Sequence, residues 1–339
     1  MRDDLGIITK LENGKAYLEF VLPEKIGRLL SALQIEIWEE AEGERLVFHG
    51  EYAPEESDCM TALLLRPHLW DGLRDPYVYL VKAQGRFRSV EYGEKMGGME
   101  KEEKLDSAED ITGEVEMYWR QELTIYDVRV VEKKGILLNE KEFLPHEVVY
   151  RLPPQISDAG TRVEQVRRDL ERLVRMGVNV IRLEGTGTGA EGVNCSEVRT
   201  FYSLCRKRGF LTGDLWIRPE NLPVYRGLPG ETTCQALLAA DGRTLTERYY
   251  YYQAKWSSEP VLYPVLSTLH RQENGLLSLT IYSNQKKVVL YVEGVLFLFQ
   301  SAASGDPEFI FEDIPVAKLP LHLAVEAGNL SISLTVSKI

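Results

Sequence analysis

The sequence predicts a chain of mixed β and α/β character, two β-sandwiches flanking a short α/β segment. Residues 1–134 and 247–339 hold short apolar runs with period-two alternation, divided by turn signals. Between them the hydrophobic period changes to that of a helix, and short strand-like runs alternate with helical ones, the order of parallel βαβ geometry.

In the first stretch, Ala16-Tyr17-Leu18-Glu19-Phe20-Val21 alternates in part and Leu33-Gln34-Ile35-Glu36-Ile37-Trp38 alternates cleanly. Val47 to Gly50, Met60 to Leu65 and Tyr77 to Val81 follow at short spacings, and strands resume at Val115 to Trp119 and Leu123 to Val131. Gly93 to Gly113 is rich in Glu, Lys and Gly, and reads as a mobile loop or an insertion at a hairpin tip.

The middle piece spans 135–218. Arg162 to Met176 places Val163, Val166, Leu170, Leu173 and Val174 on one helical face, and Gly177 ends that helix. Val178 to Leu183 reads as a strand, Ser196 to Arg208 as a second helix and Phe210 to Leu215 as a second strand. Two or three strands are too few to close an eight-stranded barrel. Residues 219–246, with Pro219, Pro223, Pro229 and several glycines, read as a linker. From Tyr249 onward β structure is expected to return, the run Tyr249 to Tyr252 being strand-forming by propensity. Ser278 to Tyr282, Val288 to Val292, Leu296 to Phe299 and Leu330 to Val336 complete the last sandwich.

With 339 residues, 44% of them hydrophobic, the chain is long enough for two or three domains with cores of their own. Its formal net charge of −12 argues against nucleic acid or an anionic membrane as the main partner. No apolar run is long enough to predict a membrane span. The opening Met1-Arg2-Asp3-Asp4 lacks an apolar signal core, so a cytoplasmic protein is expected. Cys59, Cys195, Cys205 and Cys234 are scattered without paired spacing and read as reduced, unligated thiols. The five histidines show no metal-ligand spacing, so neither a metal nor a cofactor is expected.

Gly187-Thr188-Gly189-Ala190-Glu191-Gly192 satisfies G-x-G-x-x-G between a strand and a helix, and Asp214 ends the next predicted strand. Arg182 within the preceding strand, and Glu184 and Glu191 beside the loop, oppose a pyrophosphate there. A plain strand-to-helix loop is the favoured reading.

Several segments carry a stronger signal. Arg66-Pro67-His68-Leu69-Trp70, continuing to Asp75-Pro76-Tyr77-Val78-Tyr79, resembles the "P-x-L-W-…-P-x-L-Y" stretch of family-two glycoside hydrolases. Gly135 to Phe143 resembles their "F-x-L-N-G-K-P-F", and Asp169 to Arg182 resembles "D-L-x-x-M-K-x-x-G-x-N-A-I-R". Phe201 to Gly209 resembles "F-Y-D-L-C-D-E-x-G". Tyr250 to Ser257, with Ile281 to Asn284 and Leu290 to Gly294, resembles a later sandwich of the bacterial β-galactosidases of that family. The segments stand in the family's order and span most of the chain.

The resemblance implies two immunoglobulin-like sandwiches flanking an incomplete (β/α) barrel segment. It also marks departures. The family's sugar-binding jelly roll before the first sandwich is expected to be missing. The "R-G-V-N-x-H" sugar contact is replaced by Pro145-His146-Glu147-Val148-Val149-Tyr150, and the family's "S-H-Y-P" by Leu183-Glu184-Gly185-Thr186. The acid/base Glu after strand four and the nucleophile Glu on strand seven have no counterpart. Asn139-Glu140 lies in the barrel entry, without the strand context such a Glu needs.

Retaining glycosidases need two carboxylates about 5 Å apart across the scissile bond. Glu184 and Asp214, at the ends of neighbouring predicted strands, are the candidate replacement pair; against this, Glu184 reads as a solvated loop carboxylate and Asp214 as the partner of Arg182. Arg182 and Trp216 are the candidate sugar contacts, Arg182 through a hydroxyl or carboxylate and Trp216 by stacking. Trp256 is a further stacking candidate, although isolated tryptophans are more often core. The expectation is a non-catalytic carbohydrate-interaction or scaffold protein. The alternatives are a divergent β-glycosidase working through Glu184 and Asp214, and a nucleotide-binding protein using Gly187 to Gly192. Val178, Val180, Ile181 and Leu211 would face water on so short a sheet, so they need cover. Cover from within a monomer is favoured, with a homodimer through this face as the alternative.

Overall fold

The computed structural model describes residues 5–39, 44–53, 60–90, 111–153, 159–184, 195–213, 222–227, 236–303 and 305–338. The structure is mostly β, and the chain divides into two compact units, Met1–Phe143 and Leu144–Ile339.

In the first unit, β1 (Gly6–Glu12) and β2 (Lys15–Val21) form a hairpin closed by Asn13 and Gly14. Both turn residues have positive φ, 50° and 72°, as a two-residue turn matched to strand twist requires. A short helix, α1 (Glu24–Gly27), leads to β3 (Leu30–Glu39), β4 (Arg45–Tyr52) and β5 (Thr61–Leu65). The long strands β6 (Tyr79–Val90) and β7 (Ile111–Leu123) follow. One sheet has the order β1-β2-β5 and the other β4-β3-β6-β7. Alternation decides the inward faces: Ala16, Leu18 and Phe20 of β2 and Leu33, Ile35 and Ile37 of β3 share one buried core. Strands β6 and β7 pair as far as Val90 and Ile111. Residues 91–110, most of the stretch read as an insertion, lie outside the described residues. A small sheet, β10-β9-β8, completes the unit from β8 (Val128–Val131), β9 (Gly135–Leu138) and β10 (Lys141–Glu142).

The second unit opens with β11 (Glu147–Tyr150), α2 (Ala159–Met176), β12 (Val180–Leu183), α3 (Cys195–Arg208) and β13 (Leu211–Thr212). Both helices and the β12 strand fall where the sequence period puts them. Gly177 closes α2 at φ 88°, and a Cβ there would stand 2.4 Å from the Trp256 carbonyl oxygen. The stretch 219–246, read from sequence as a linker, instead carries β14 (Val224–Arg226) and β15 (Ala236–Leu238). Both are parallel additions to one five-stranded sheet, β13-β12-β11-β14-β15. The count of two or three strands is therefore corrected to five, the missing ones being short and set among prolines and glycines. Val178, Val180, Ile181 and Leu211 are buried within the chain.

The tyrosine run corrects a second expectation. Tyr249 to Tyr252 lie in a helix, α4 (Glu247–Trp256). Strand propensity yields to packing here: Tyr249 is buried in the core formed with α2 and α3, and its hydroxyl donates to the Arg172 carbonyl at 2.8 Å.

The rest of the unit is β: β16 (Leu262–Arg271), β17 (Leu277–Ser283), β18 (Lys287–Val292), β19 (Val295–Ser301), β20 (Glu308–Ile314), β21 (Leu321–Ala327) and β22 (Leu330–Val336). They form the sheets β16-β17-β20 and β19-β18-β21-β22, which share a core of Leu279, Ile281, Leu290, Phe309, Phe311 and Val325. No helix of the described residues is long and apolar enough to cross a membrane.

Candidate functional site

The carboxyl ends of parallel strands are where open α/β sheets bind ligands. In this sheet β11 and β12 run in register, Glu147 beside Val180 and Tyr150 beside Leu183. Alternation puts Val148, Tyr150, Ile181 and Leu183 on the helix-covered face. Glu147 and Arg182 stand on the opposite face, where Arg182 Nε donates to Glu147 Oε1 at 2.9 Å. The Glu147 side chain is fully buried and Arg182 is 13% exposed, so the ion pair is largely desolvated and its partners depend on one another.

At the strand ends, the Glu184 backbone amide donates to the Tyr150 carbonyl, continuing the ladder. The Glu184 side chain is 46% exposed and is gripped by Arg151 through Nε and Nη2, one donor to each carboxylate oxygen. Arg151 Nη1 also donates to the Arg226 carbonyl at 3.3 Å, which ties the ends of β11, β12 and β14 together.

Beneath lies a fully buried polar cluster that sequence reasoning missed. Asp169 of α2 is 1% exposed. Its Oδ2 accepts from the Tyr150 hydroxyl at 3.0 Å and from Arg226 Nη2 at 2.7 Å, and its Oδ1 accepts from the Tyr225 hydroxyl at 3.0 Å. Burial, with the Asp169 charge beside them, pushes both tyrosine hydroxyls up, so they remain protonated donors. A signal for Asp169 existed: it falls three residues after Val166 and four before Leu173, on the apolar face of α2. Arg226 had none, since it sat in the presumed linker.

Asp214, Trp216 and the loop Gly187 to Gly192 lie outside the described residues. Arg182 pairs with Glu147. Trp256 ends α4 and stacks on His146, ring centres 5.1 Å apart and planes within 7°. Among the described residues no group of three or more His, Cys, Asp or Glu side chains is placed to hold a metal ion. Cys205 is buried, which pushes its thiol up and leaves it inert.

No family model and no curated protein matches the sequence. Solved structures do. A β-glycosidase from Bacteroides vulgatus superimposes with a TM-score of 0.65 at 12% identity, covering 99% of this chain and 65% of its own. An FMN-binding β-glucuronidase from Faecalibacterium prausnitzii L2-6 gives 0.62 at 13% identity, covering 99% and 74%. A glycosyl hydrolase family 2 member from Bacteroides cellulosilyticus gives 0.60 at 12% identity, covering 98% and 62%. The fold is that of family-two glycoside hydrolases. The match runs through both units, so the resemblance first carried by short segments extends over the whole chain. The chain spans 65% of the Bacteroides vulgatus structure and 62% of the Bacteroides cellulosilyticus one, so more than a third of each lies outside the match.

Proposed function

We propose that the chain is a relative of the family-two glycosidases that no longer cleaves glycosides and serves as a carbohydrate-interaction or scaffold protein. In this reading the two units comprise immunoglobulin-like sandwiches around an incomplete barrel segment, with 1–134, 135–218 and 247–339 as its pieces. The observation that carries the loss of activity is the engagement of Glu184 by Arg151. A general acid must present a proton to the leaving oxygen, whereas both Glu184 oxygens already accept hydrogens from Arg151. Among the described residues, Glu147 and Asp169 of the same sheet region are held against Arg182 and Arg226. Carboxylates held this way maintain a fold and are poorly placed to exchange protons with a substrate.

The fold likeness supports sugar as the ligand class, with Arg182 and Trp216 as its proposed contacts. A glycan array is expected to give binding that weakens in Trp216→Ala. A panel of aryl β-galactosides, β-glucosides and β-glucuronides is expected to give no turnover above background. Hydrolysis that disappears in Glu184→Gln would overturn this reading in favour of a divergent glycosidase using Glu184 and Asp214. A thermal shift with dinucleotides, lost when Gly189 is replaced by Val, would instead favour the glycine loop as a nucleotide site.

A further inference from the structure

The outer strand β19 is unlike an ordinary sheet edge. Among the described residues it pairs only with β18, so its other side presents unpaired backbone amides and carbonyls. Soluble proteins guard such edges with lysine, proline or inward charges, because a bare edge is a template for another strand. From Val295 to Ala303 this chain has no charged residue at all, within a sequence of net charge −12. Val295 is 69% exposed, Leu296 55%, Leu298 42% and Phe299 52%. Ile310, on the outer strand β20 of the facing sheet, is 51% exposed. Gln300 bridges the two strands by donating to the Ile310 carbonyl at 2.5 Å. Lys287 lies over the Phe299 ring, 4.1 Å from its centre, yet leaves half of it in water.

We propose that β19 is the surface through which two copies of this chain associate, strand against antiparallel strand, about a two-fold axis close to Leu298. Charge decides the partner first. Two chains of net charge −12 repel over most of their surface, and an uncharged apolar strip is where they can approach. The required complement is a second apolar, uncharged strand. A copy of the chain supplies one at equal concentration, and an antiparallel pair of identical strands is self-complementary as a two-fold interface must be.

Area decides it second. With about 150–250 Å² for a fully exposed aromatic side chain and rather less for an aliphatic one, the five exposures amount to roughly 500 Å² per copy. Full coverage of these side chains in two copies would bury at most about 1,000 Å², the floor for a specific interface, so the backbone ladder must supply the rest.

The test is sedimentation velocity of the intact chain across the micromolar range, beside Leu298→Lys and Leu296→Lys. Leu296 is 55% and Leu298 42% exposed, so near-ultraviolet circular dichroism is expected to match the parent. The parent is expected to pass from monomer to dimer as concentration rises. Each lysine variant is expected to weaken that association roughly tenfold or more: at position 298 two like charges would meet at the axis, and at position 296 a charge would be set into an otherwise uncharged strip opposite Gln300 of the copy. A parent chain that stays monomeric throughout overturns the proposal and leaves the strip to a foreign strand. Folded lysine variants that associate as the parent does would overturn it equally, by moving the interface elsewhere.

Discussion

A carboxylate as completely enclosed as Asp169 is tolerated only because three donors from two strands converge on it. Tyr150 comes from β11, Tyr225 and Arg226 from β14, and Asp169 itself from α2, so one side chain locks a helix to two strands. Replacing it with Asn keeps the shape and removes the charge, leaving the Arg226 guanidinium, 4% exposed, without its counter-ion. Breaking a buried pair from one side costs about 3–5 kcal/mol, so Asp169→Asn is expected to lower the unfolding free energy of the second unit, read from urea titration, by that scale. A loss under about 1 kcal/mol would mean that the hydroxyls alone hold the cluster. His146 answers to pH instead. Its Nδ1–H donates to the Gly177 carbonyl at 2.8 Å and its ring stacks on Trp256. Burial lowers its pKa from 6.5, and the Gly177 hydrogen bond only partly opposes that. A depressed histidine pKa means the folded state prefers the neutral ring. The stability it contributes is therefore fully present above pH 6.5 and is lost as pH falls through the lower folded value. Thermal melts between pH 7.5 and 5 are expected to show a steeper fall for the parent than for His146→Gln, where the remaining slope comes from groups common to both.

At the scale of elements, what was legible in the sequence follows from what each element's own residues determine. Helix α2 could be read because its apolar positions repeat at the helical period over its length and Gly177 stops it. The strands β2, β3, β17 and β18 carry enough alternation or apolar content to declare themselves. By contrast, β14 and β15 have three residues each, and three residues contain no period. They become strands because β11 offers an open edge and because Tyr225, Leu237 and Leu238 fill a core already begun by α2 and α3. Helix α4 was obscured for the opposite reason. Its sequence has a strong local preference, four tyrosines in a row, and tertiary packing overrides it. As a helix it buries Tyr249 and sets Tyr250 face to face with Tyr263 at 3.8 Å and Tyr251 edge-on to Tyr282. The candidate site divides along the same line. Arg182 and Glu184 were visible as polar residues interrupting or ending an apolar strand, whereas their partners Glu147 and Arg151 are separated from them by some thirty residues and are supplied only by strand register.

The same reasoning predicts where the whole chain can be cut. The sequence places the α/β piece at 135–218, but the core of that piece is completed from outside it. Tyr225 and Leu237 are fully buried there, Leu238 is fully buried, and Tyr249 is 2% exposed. All of them come after residue 218, as does Arg226, the counter-charge of Asp169. A fragment ending at 218 would lose two of five strands, leave β11 with a bare edge, and strand a buried carboxylate without its guanidinium. Each of those losses costs several kcal/mol against a domain stability of about 5–15 kcal/mol, so residues 135–218 are expected not to fold. Residues 144–339 retain every strand of the sheet, helices α2 to α4 and the two later sheets with their own core. They are expected to fold as a soluble, cooperative unit. The measurement is amide exchange on the two fragments, read at Val148, Ile181 and Leu183. Protection at these positions is expected in 144–339 and absent in 135–218. Equal protection in both would mean that β14, β15 and α4 add little to the sheet, and that the shorter boundary read from the sequence is the physical one.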